Sequence, residues 1–462
     1  MLHLEPFNEI YLSKSWNWLN DPEIKFLTAT PDFTQVDQLE WFNRIQNNSK
    51  YAVFGVKYND QEIGVFGFKN VDLINSEAEY FGYIGEKKYI GLKLGAEVLS
   101  MIINYGKYEL KLQKISLRVI PDNFRAIALY KKFGFSEIDM VDNKILMTKT
   151  LSLIEIERYS SDHSTAWNEF ILSSKNGLFL FDRNYMDYHD HKFPDHSLVF
   201  RKKQKIVAVF PATANGNKIF SHSGLTFGSL IMDNSLRQIE VLACFQEMKS
   251  YYKLNGFEEI IYKAIPSIFH AYPAEEDLYA LFKNDAKLYR RDISSVVQID
   301  NKIRFSESKR QSVRKCSELK VSIEENSDFS GYWELLKEVL NKFDAKPVHT
   351  LEEITLLKSK FPVKIRLFEA RLDEKLLAGA VIYDFGDVVH TQYMANSIIG
   401  RKIGALDYLN YVLITEVFKD KKYYSFGMST VDQGRILNEG LILQKEMMGG
   451  RGIALDFYSI NL

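Results

Sequence analysis

Cysteine is nearly absent: the 462 residues hold two, Cys244 and Cys316, in unlike surroundings. No CxxC pair and no disulfide framework can be drawn from them, which predicts a reducing, cytosolic compartment. Long apolar runs are missing too. No stretch of about 18 apolar residues occurs, so no membrane-spanning helix is expected. The opening MLHLEPFNEIYLSK lacks the basic-then-apolar order of a secretory signal, and none is expected. Excess charge of either sign is also lacking, since 59 Lys and Arg against 60 Asp and Glu leave a net −1. That balance gives no general pull toward nucleic acid or an anionic membrane, so any phosphate site must be local and no nucleic-acid partner is expected. HDHKFPDH carries His189, His191 and His196 but has no Cys partner and no HExxH frame, so no metal is expected.

What is present is ordinary globular material in quantity. An apolar fraction of 46% over this length supplies several cores, and the length alone suggests two or three domains. Residues 1–150 read as one α/β unit. The runs KYAVFGV and EIGVFGF are strands around the turn KYNDQ, EAEYFGYIG is a strand, and AEVLSMIINYGKYEL is an apolar-periodic helix. KISLRVI, RAIALYKKF and KILMTKTL then give strand, helix and strand, a mixed α/β order.

A second unit opens near residue 151 with the strand pair SLVFRKKQKIVAVFPATA. A polar stretch, NKIRFSESKRQSVRKCSELK, separates it from a third, giving expected boundaries of 1–150, 151–305 and 306–462. Lys309, Arg310, Arg314 and Lys315 recur at helical spacing within that stretch, as a solvated face or an anion-binding edge.

One short pattern occurs twice. IGLKLGA covers Ile90, Gly91, Leu92, Lys93, Leu94, Gly95 and Ala96, and IGRKIGA covers Ile399 to Ala405, with Gly400, Arg401, Lys402, Ile403 and Gly404 between. Each follows a strand and precedes a helix. A Gly turn in that setting presents backbone N–H groups and the positive helix end to a phosphate, and glycine allows close approach or positive φ. The elements after the second copy repeat those after the first, so a diverged internal duplication is expected. The spacing also repeats: Asn123, Tyr130 and Gly134 correspond to Asn438, Lys445 and Gly449.

LRVIPDNFRAIALYKKFGF, residues 117–135, together with the first Gly turn, resembles the GNAT superfamily of acetyl-CoA-dependent N-acetyltransferases. The family pattern N-x-x-A-x-x-L-Y-x-x-x-G-F is met at Asn123, Ala126, Leu129, Tyr130, Gly134 and Phe135. The resemblance covers 1–150 and is strongest to the branch that acetylates nucleotide-linked amino sugars and to ribosomal-protein acetyltransferases. It implies that acetyl-CoA is held by residues 90–96, Asn123 and Ala126, with a backbone N–H near Tyr83 and Ile84 steadying the oxyanion. It further implies that Tyr130 protonates the leaving thiolate. Glu79 is the candidate base and Trp18 a candidate substrate contact. The sequence departs from the family at Ile90, where Gln or Arg is usual, and at Lys93, where the first Gly of the pair is usual.

Residues 151–462 resemble Fem-type acyltransferases, which pair two GNAT-like subdomains, and within them a surface-polysaccharide branch, through SHSGLTFG (221–228) and GRILNEGLILQKEMMGGRG (434–452). This resemblance implies a first subdomain without a cofactor turn, whose Ser221, His222, Gly224 and Thr226 line the acceptor cleft. It implies a second with cofactor contacts at 400–404 and Asn438, with Lys445 at the acid position. His390 is a candidate base, and His349 and Tyr393 are candidate substrate contacts. The expected fold is therefore α/β with mixed sheets, a GNAT domain followed by a Fem-like pair. The expected activity is acyl transfer from acetyl-CoA to the amine of a nucleotide-linked amino sugar for a cell-surface polysaccharide, possibly at two sites. Three alternatives stand beside it: a second half that only binds sugar, one that uses aminoacyl-tRNA, or a first domain that acetylates protein N-termini.

Overall fold

The computed structural model describes residues 2–151 and 154–462. The chain forms two compact units, 1–153 and 154–462.

The first unit is built on a seven-stranded mixed sheet. Strands Ala52–Tyr58 and Gln61–Asp72 form the expected hairpin. Its two linking residues, Asn59 and Asp60, have φ of 46° and 60°, the left-handed pair that matches strand twist. Adjacent residues of the longer strand serve opposite faces. Val65 joins Phe7 and, from the N-terminal helices, Tyr11, Trp18 and Ile24, while Phe66 joins Val98, Leu99 and Ile102 of helix Leu94–Tyr108. The next strand, Glu77–Ile84, runs parallel to Lys114–Val119 but pairs with it only through residues 77–79 and 114–116. Beyond Glu79 the two strands diverge.

The second unit repeats this arrangement twice within one ten-stranded sheet. In its first lobe Lys218–Phe220 pairs in parallel with residues 259–261 and no further. In its second lobe residues 388–390 pair in parallel with 423–425 and no further. The antiparallel meander Ile365–Leu372, Lys375–Asp384 and Val388–Asn396 leads into the second parting, as the strands from Ala52 to Ile84 lead into that of the first unit. The two sheets thus hold three parallel pairs, each of which parts after three residues. The tandem α/β architecture expected from the sequence is present.

The lobes of the second unit exchange strands. In the first unit, Lys144–Thr150 lies between Lys114–Val119 and Ser136–Val141. In the first lobe that middle place is taken by Arg451–Asn461, from the end of the second lobe. In the second lobe it is taken by Lys287–Gln298, from the end of the first. Each lobe supplies the strand the other lacks. Among the described residues no helix is long and apolar enough to cross a membrane.

Candidate active site

In the first unit, the segment after strand Glu77–Ile84 makes one short turn at Lys87–Tyr89 and opens helix Leu94–Tyr108. Between them Gly91 has φ of 102° and Lys93 has φ of 63°. A lysine in the left-handed region costs roughly 1–2 kcal/mol, a strain that collects at functional turns. Residues 91–93 are exposed, and the first turn of a helix leaves its amides without intrahelical acceptors. Gly95 faces Ile84, whose Cδ1 lies 3.8 Å from where a Cβ would stand. Across the turn, Arg125 places Nη2 3.6 Å from the Cβ position of Gly91. Neither Lys93 nor Arg125 has an ion-pair partner among the described residues, whereas the nearby Lys87 is held by Asp21 at 2.9 Å and Glu23 at 3.1 Å. The turn therefore offers open amides, a helix N-terminus and two free cations to an anion. Arg125 escaped the sequence reading. The signal was present, because it lies two residues after Asn123 in the same helix start.

Tyr130 packs its ring 6.0 Å from that of Tyr80, the first residue past the paired segment of the diverging strands. Burial pushes the Tyr130 hydroxyl up to about 12, and the Tyr80 hydroxyl opposes that shift. Three other expectations for this unit need correction. Glu79 is 7% exposed and is engaged by Lys69 at 3.2 Å, Arg118 at 3.8 Å and the Asn70 amide at 3.1 Å. As the neighbour of Tyr80 it points to the opposite face of the sheet from the Tyr80 side chain, so it braces the parting strands and is poorly placed as a base. Asn123 caps helix Phe124–Lys132, accepting from the Ala126 amide at 3.1 Å, so this oxygen and this amide are occupied by each other. Trp18 is 6% exposed, donates to Glu86 at 3.1 Å and lies on Gly85, which makes it core and not a substrate contact. Tyr83 turns toward the same core, 6.4 Å from the Trp18 ring.

A cavity of about 640 Å³ opens at the carboxyl end of strand Lys114–Val119. Pro22, Lys25, Phe26, Ile120, Asp122 and Asn143 line it. Its size falls within the roughly 300–1,000 Å³ usual for small-molecule sites, and carboxyl strand ends are where open α/β sheets bind ligands.

The second copy of the Gly pattern folds differently. Residues Ile398–Ile403 are already helical, Ser397 accepts from the Gly400 amide at 3.0 Å, and the Arg401 amide donates to the Ser397 carbonyl at 2.9 Å. The Gly404 amide donates to the Gly400 carbonyl at 2.9 Å. Gly400 packs against the Leu377 carbonyl and Gly404 against Ser312 of helix Glu307–Glu318. These glycines serve close packing, and the expected second phosphate cradle at 400–404 is not formed.

Lys445 is corrected in another sense. It is 3% exposed, and its ammonium donates to the carbonyls of Gly427 at 2.9 Å and Met428 at 2.7 Å and to Ser429 Oγ at 2.9 Å, so its protons are held by the protein. An ammonium has three protons, and all three are taken. Burial brings it down to about 8. Asn438 caps its helix by accepting from the Leu441 amide at 3.0 Å, the same bond Asn123 makes, so it is no freer for a cofactor.

His390 bonds Ser425 Oγ at 3.0 Å, and burial, with Lys445 nearby, lowers it to about 4. His349 and Tyr393 meet at 2.6 Å, and burial lowers His349 to about 4 as well. Ser221 is fully buried and accepts from the Lys263 amide at 2.7 Å, so it cannot line an open cleft. A Cβ at Gly224 would strike His189, which explains that glycine by packing. Thr226 is exposed, and His222 lines a separate cavity.

Residues 2–136 match the family described as Acetyltransferase (GNAT) domain. The chain is 31% identical over 125 residues to the uncharacterized N-acetyltransferase p20 of Bacillus licheniformis, covering 26% of this chain and 69% of that protein. It is 26% identical over 142 residues to acetyltransferase PseH of Campylobacter jejuni, covering 30% of this chain and 87% of that one. Among solved structures, FemX aligns over 67% of this chain and 97% of its own at 11% identity, with a TM-score of 0.49. Through its N-terminal unit the chain belongs to the GNAT family and is an N-acetyltransferase whose acyl donor is acetyl-CoA.

Proposed function

We propose that residues 1–150 transfer the acetyl group of acetyl-CoA to the amine of an amino sugar, nucleotide-linked and destined for a cell-surface polysaccharide, in the cytoplasm. The cavity at the open end of the diverging strands carries this reading, because it combines an exposed phenyl face, Phe26, with the carboxylate of Asp122. An aromatic face suits the C–H side of a sugar ring, and Asp122 has no ion-pair partner among the described residues.

In this reading residues 91–95, Lys93 and Arg125 hold the donor's phosphates. The thioester lies where the strands part after Glu79, with an amide near Tyr83 and Ile84 facing the carbonyl oxygen. The amine nitrogen attacks the carbonyl carbon, a C–N bond forms and the C–S bond breaks. Tyr130 gives its proton to the departing thiolate. The nitrogen's surplus proton leaves to Asp122 or to water. Products are the N-acetyl sugar and free coenzyme A.

For residues 154–462 we favour the sugar-binding alternative over a second acetyl-CoA site. The helical form of residues 398–403 supports this, since the amides of Gly400, Arg401 and Gly404 are committed within the protein.

The test is to incubate the full chain with acetyl-CoA and either UDP- and dTDP-linked amino sugars or peptides with free N-termini. Mass spectrometry then reads acetyl addition. Acetylated nucleotide sugar is expected. Peptides acetylated far faster than any amino sugar would overturn the assignment.

A further inference from the structure

Tyr80 is the first residue past the paired segment of the diverging strands, and its backbone is fixed opposite Phe68 of the neighbouring strand. Its ring is buried, 5% exposed, in the core that holds Phe66, Val98, Leu99 and Ile102. A phenyl ring would fill that place as well. The hydroxyl is what packing leaves unexplained, because burying one without a partner is costly. Its partner is the Tyr130 hydroxyl, and each tyrosine acts on the other through a side-chain hydrogen bond. That bond raises Tyr80 and lowers Tyr130, so Tyr80 donates and the Tyr130 oxygen accepts.

Tyr130 is steadied on two sides, by the Tyr80 ring at 6.0 Å and the Phe135 ring at 5.9 Å. An acid that has given up its proton here is left as a phenolate, and burial disfavours that anion. A hydrogen bond donated to an anionic oxygen is roughly twice as strong as one to a neutral oxygen. Tyr80 therefore stabilises a charge that exists only once the proton has begun to move. The second unit offers a contrast. There the residue just past the parting is Thr391, whose Oγ1 has no partner among the described residues. Lys445, at the acid position, spends its protons on residues 427–429 instead. The two positions are joined in the first unit and not in that lobe.

We propose that Tyr80 is a positioning residue for acetyl transfer, donating a hydrogen bond to the Tyr130 oxygen as the Tyr130 proton passes to the departing thiolate. In that step the Tyr130 O–H bond breaks and an S–H bond forms on coenzyme A, while the Tyr80 O–H bond stays whole. The phenolate regains a proton from water before the next turnover. The inference rests on reading Tyr130 as the acid, and it does not depend on which amine is acetylated.

Tyr80→Phe keeps the ring and removes the donor. Turnover of the full chain is read as free thiol released from acetyl-CoA, with whichever of the nucleotide sugars or peptides accepts. A fall in kcat of about tenfold or more is expected, with KM for acetyl-CoA and the melting of the first unit unchanged. In a Tyr130→Phe background the same substitution should cost nothing further, because it acts through that hydroxyl. The pair is also read without altering Tyr80: carbon-13 NMR of the ring carbon bearing its hydroxyl should show a shifted resonance in Tyr130→Phe. A wild-type kcat in Tyr80→Phe, an equal loss in both backgrounds, or a stationary Tyr80 resonance would overturn the inference and leave Tyr130 as the acid. A wild-type kcat in Tyr130→Phe would refute the acid reading, and this inference with it.

Discussion

Glu79 and His390 occupy the same position in two different sheets. Each is the third and last residue of a parallel pairing, opposite Ser116 and Ser425 respectively, just before the strands part. Two sequence candidates for a base therefore fall on one structural site, and in both copies the protein uses it to fix the parting strands. Glu79 does so with Lys69, Arg118 and Asn70, and His390 with Ser425. What distinguishes the copies lies beyond this point.

Tyr130→Phe keeps the ring against Tyr80 and removes one proton. Acetyl transfer by the full chain is expected to fall by roughly 10²–10⁴-fold in kcat, with KM for acetyl-CoA little changed. Because burial holds the wild-type hydroxyl near 12, no loss of activity from its ionisation is expected below about pH 10. Steady-state kinetics across pH 6–10 check both points, and a kcat equal to wild type would remove Tyr130 from the mechanism.

The two Gly patterns are expected to respond in opposite ways. Gly91→Ala forces a side chain into φ of 102° at the open turn, so KM for acetyl-CoA should rise by about tenfold or more while the melting of the second unit stays unchanged. Gly400→Ala would set a methyl 2.3 Å from the Leu377 carbonyl. It should lower the melting temperature of the second unit and leave acetyl-CoA kinetics alone. Arg125→Ala should act like Gly91→Ala but with an effect that shrinks as salt rises. Calorimetry and kinetics on the three variants decide the matter.

Lys445→Met removes the donor that satisfies two carbonyls and a hydroxyl on residues 427–429. Stability of the second unit is expected to drop by about 1–3 kcal/mol, read by urea denaturation, with acetyl transfer by the first unit intact. Unchanged stability would mean that this lysine is not the brace its bonds describe.

Acid should unfold the second unit through its buried histidines. His349 and His390 are each lowered from 6.5 to about 4 by burial. Between those values the unfolded chain binds protons that the native fold cannot. Their contribution is thus complete above pH 6.5 and lost as pH falls toward 4, at about 3 kcal/mol apiece on this reckoning. Denaturation midpoints at pH 7, 5.5 and 4.5 check the slope, and replacing His349 by Phe should flatten it.

Much of the fold was legible in the sequence, because hairpins such as the one turning at Asn59–Asp60 announce themselves by alternating apolar residues around a turn pair. The spacing from Asn123 to Tyr130 and from Asn438 to Lys445 likewise marked two equivalent capped helices. The Gly patterns misled because seven residues do not set their own conformation. The second copy follows Ser397, whose side chain caps a helix at Gly400, while the first follows the short turn Lys87–Tyr89. Trp18 was misjudged because burial against a distant segment is not encoded locally, whereas Arg125 was overlooked although its place beside Asn123 was legible.

The strand exchange has a consequence for how the chain is made. Residue 259 pairs with 461, and 261 with 459. The first lobe is therefore translated long before the strand that finishes it, and strand Glu259–Lys263 keeps an open edge until the ribosome has delivered residue 461. An unpaired edge of that kind invites association with other nascent chains, and pairing across so large a sequence separation is slow. The second unit should therefore acquire protease resistance in one late step, with neither lobe protected on a ribosome stalled before residue 451.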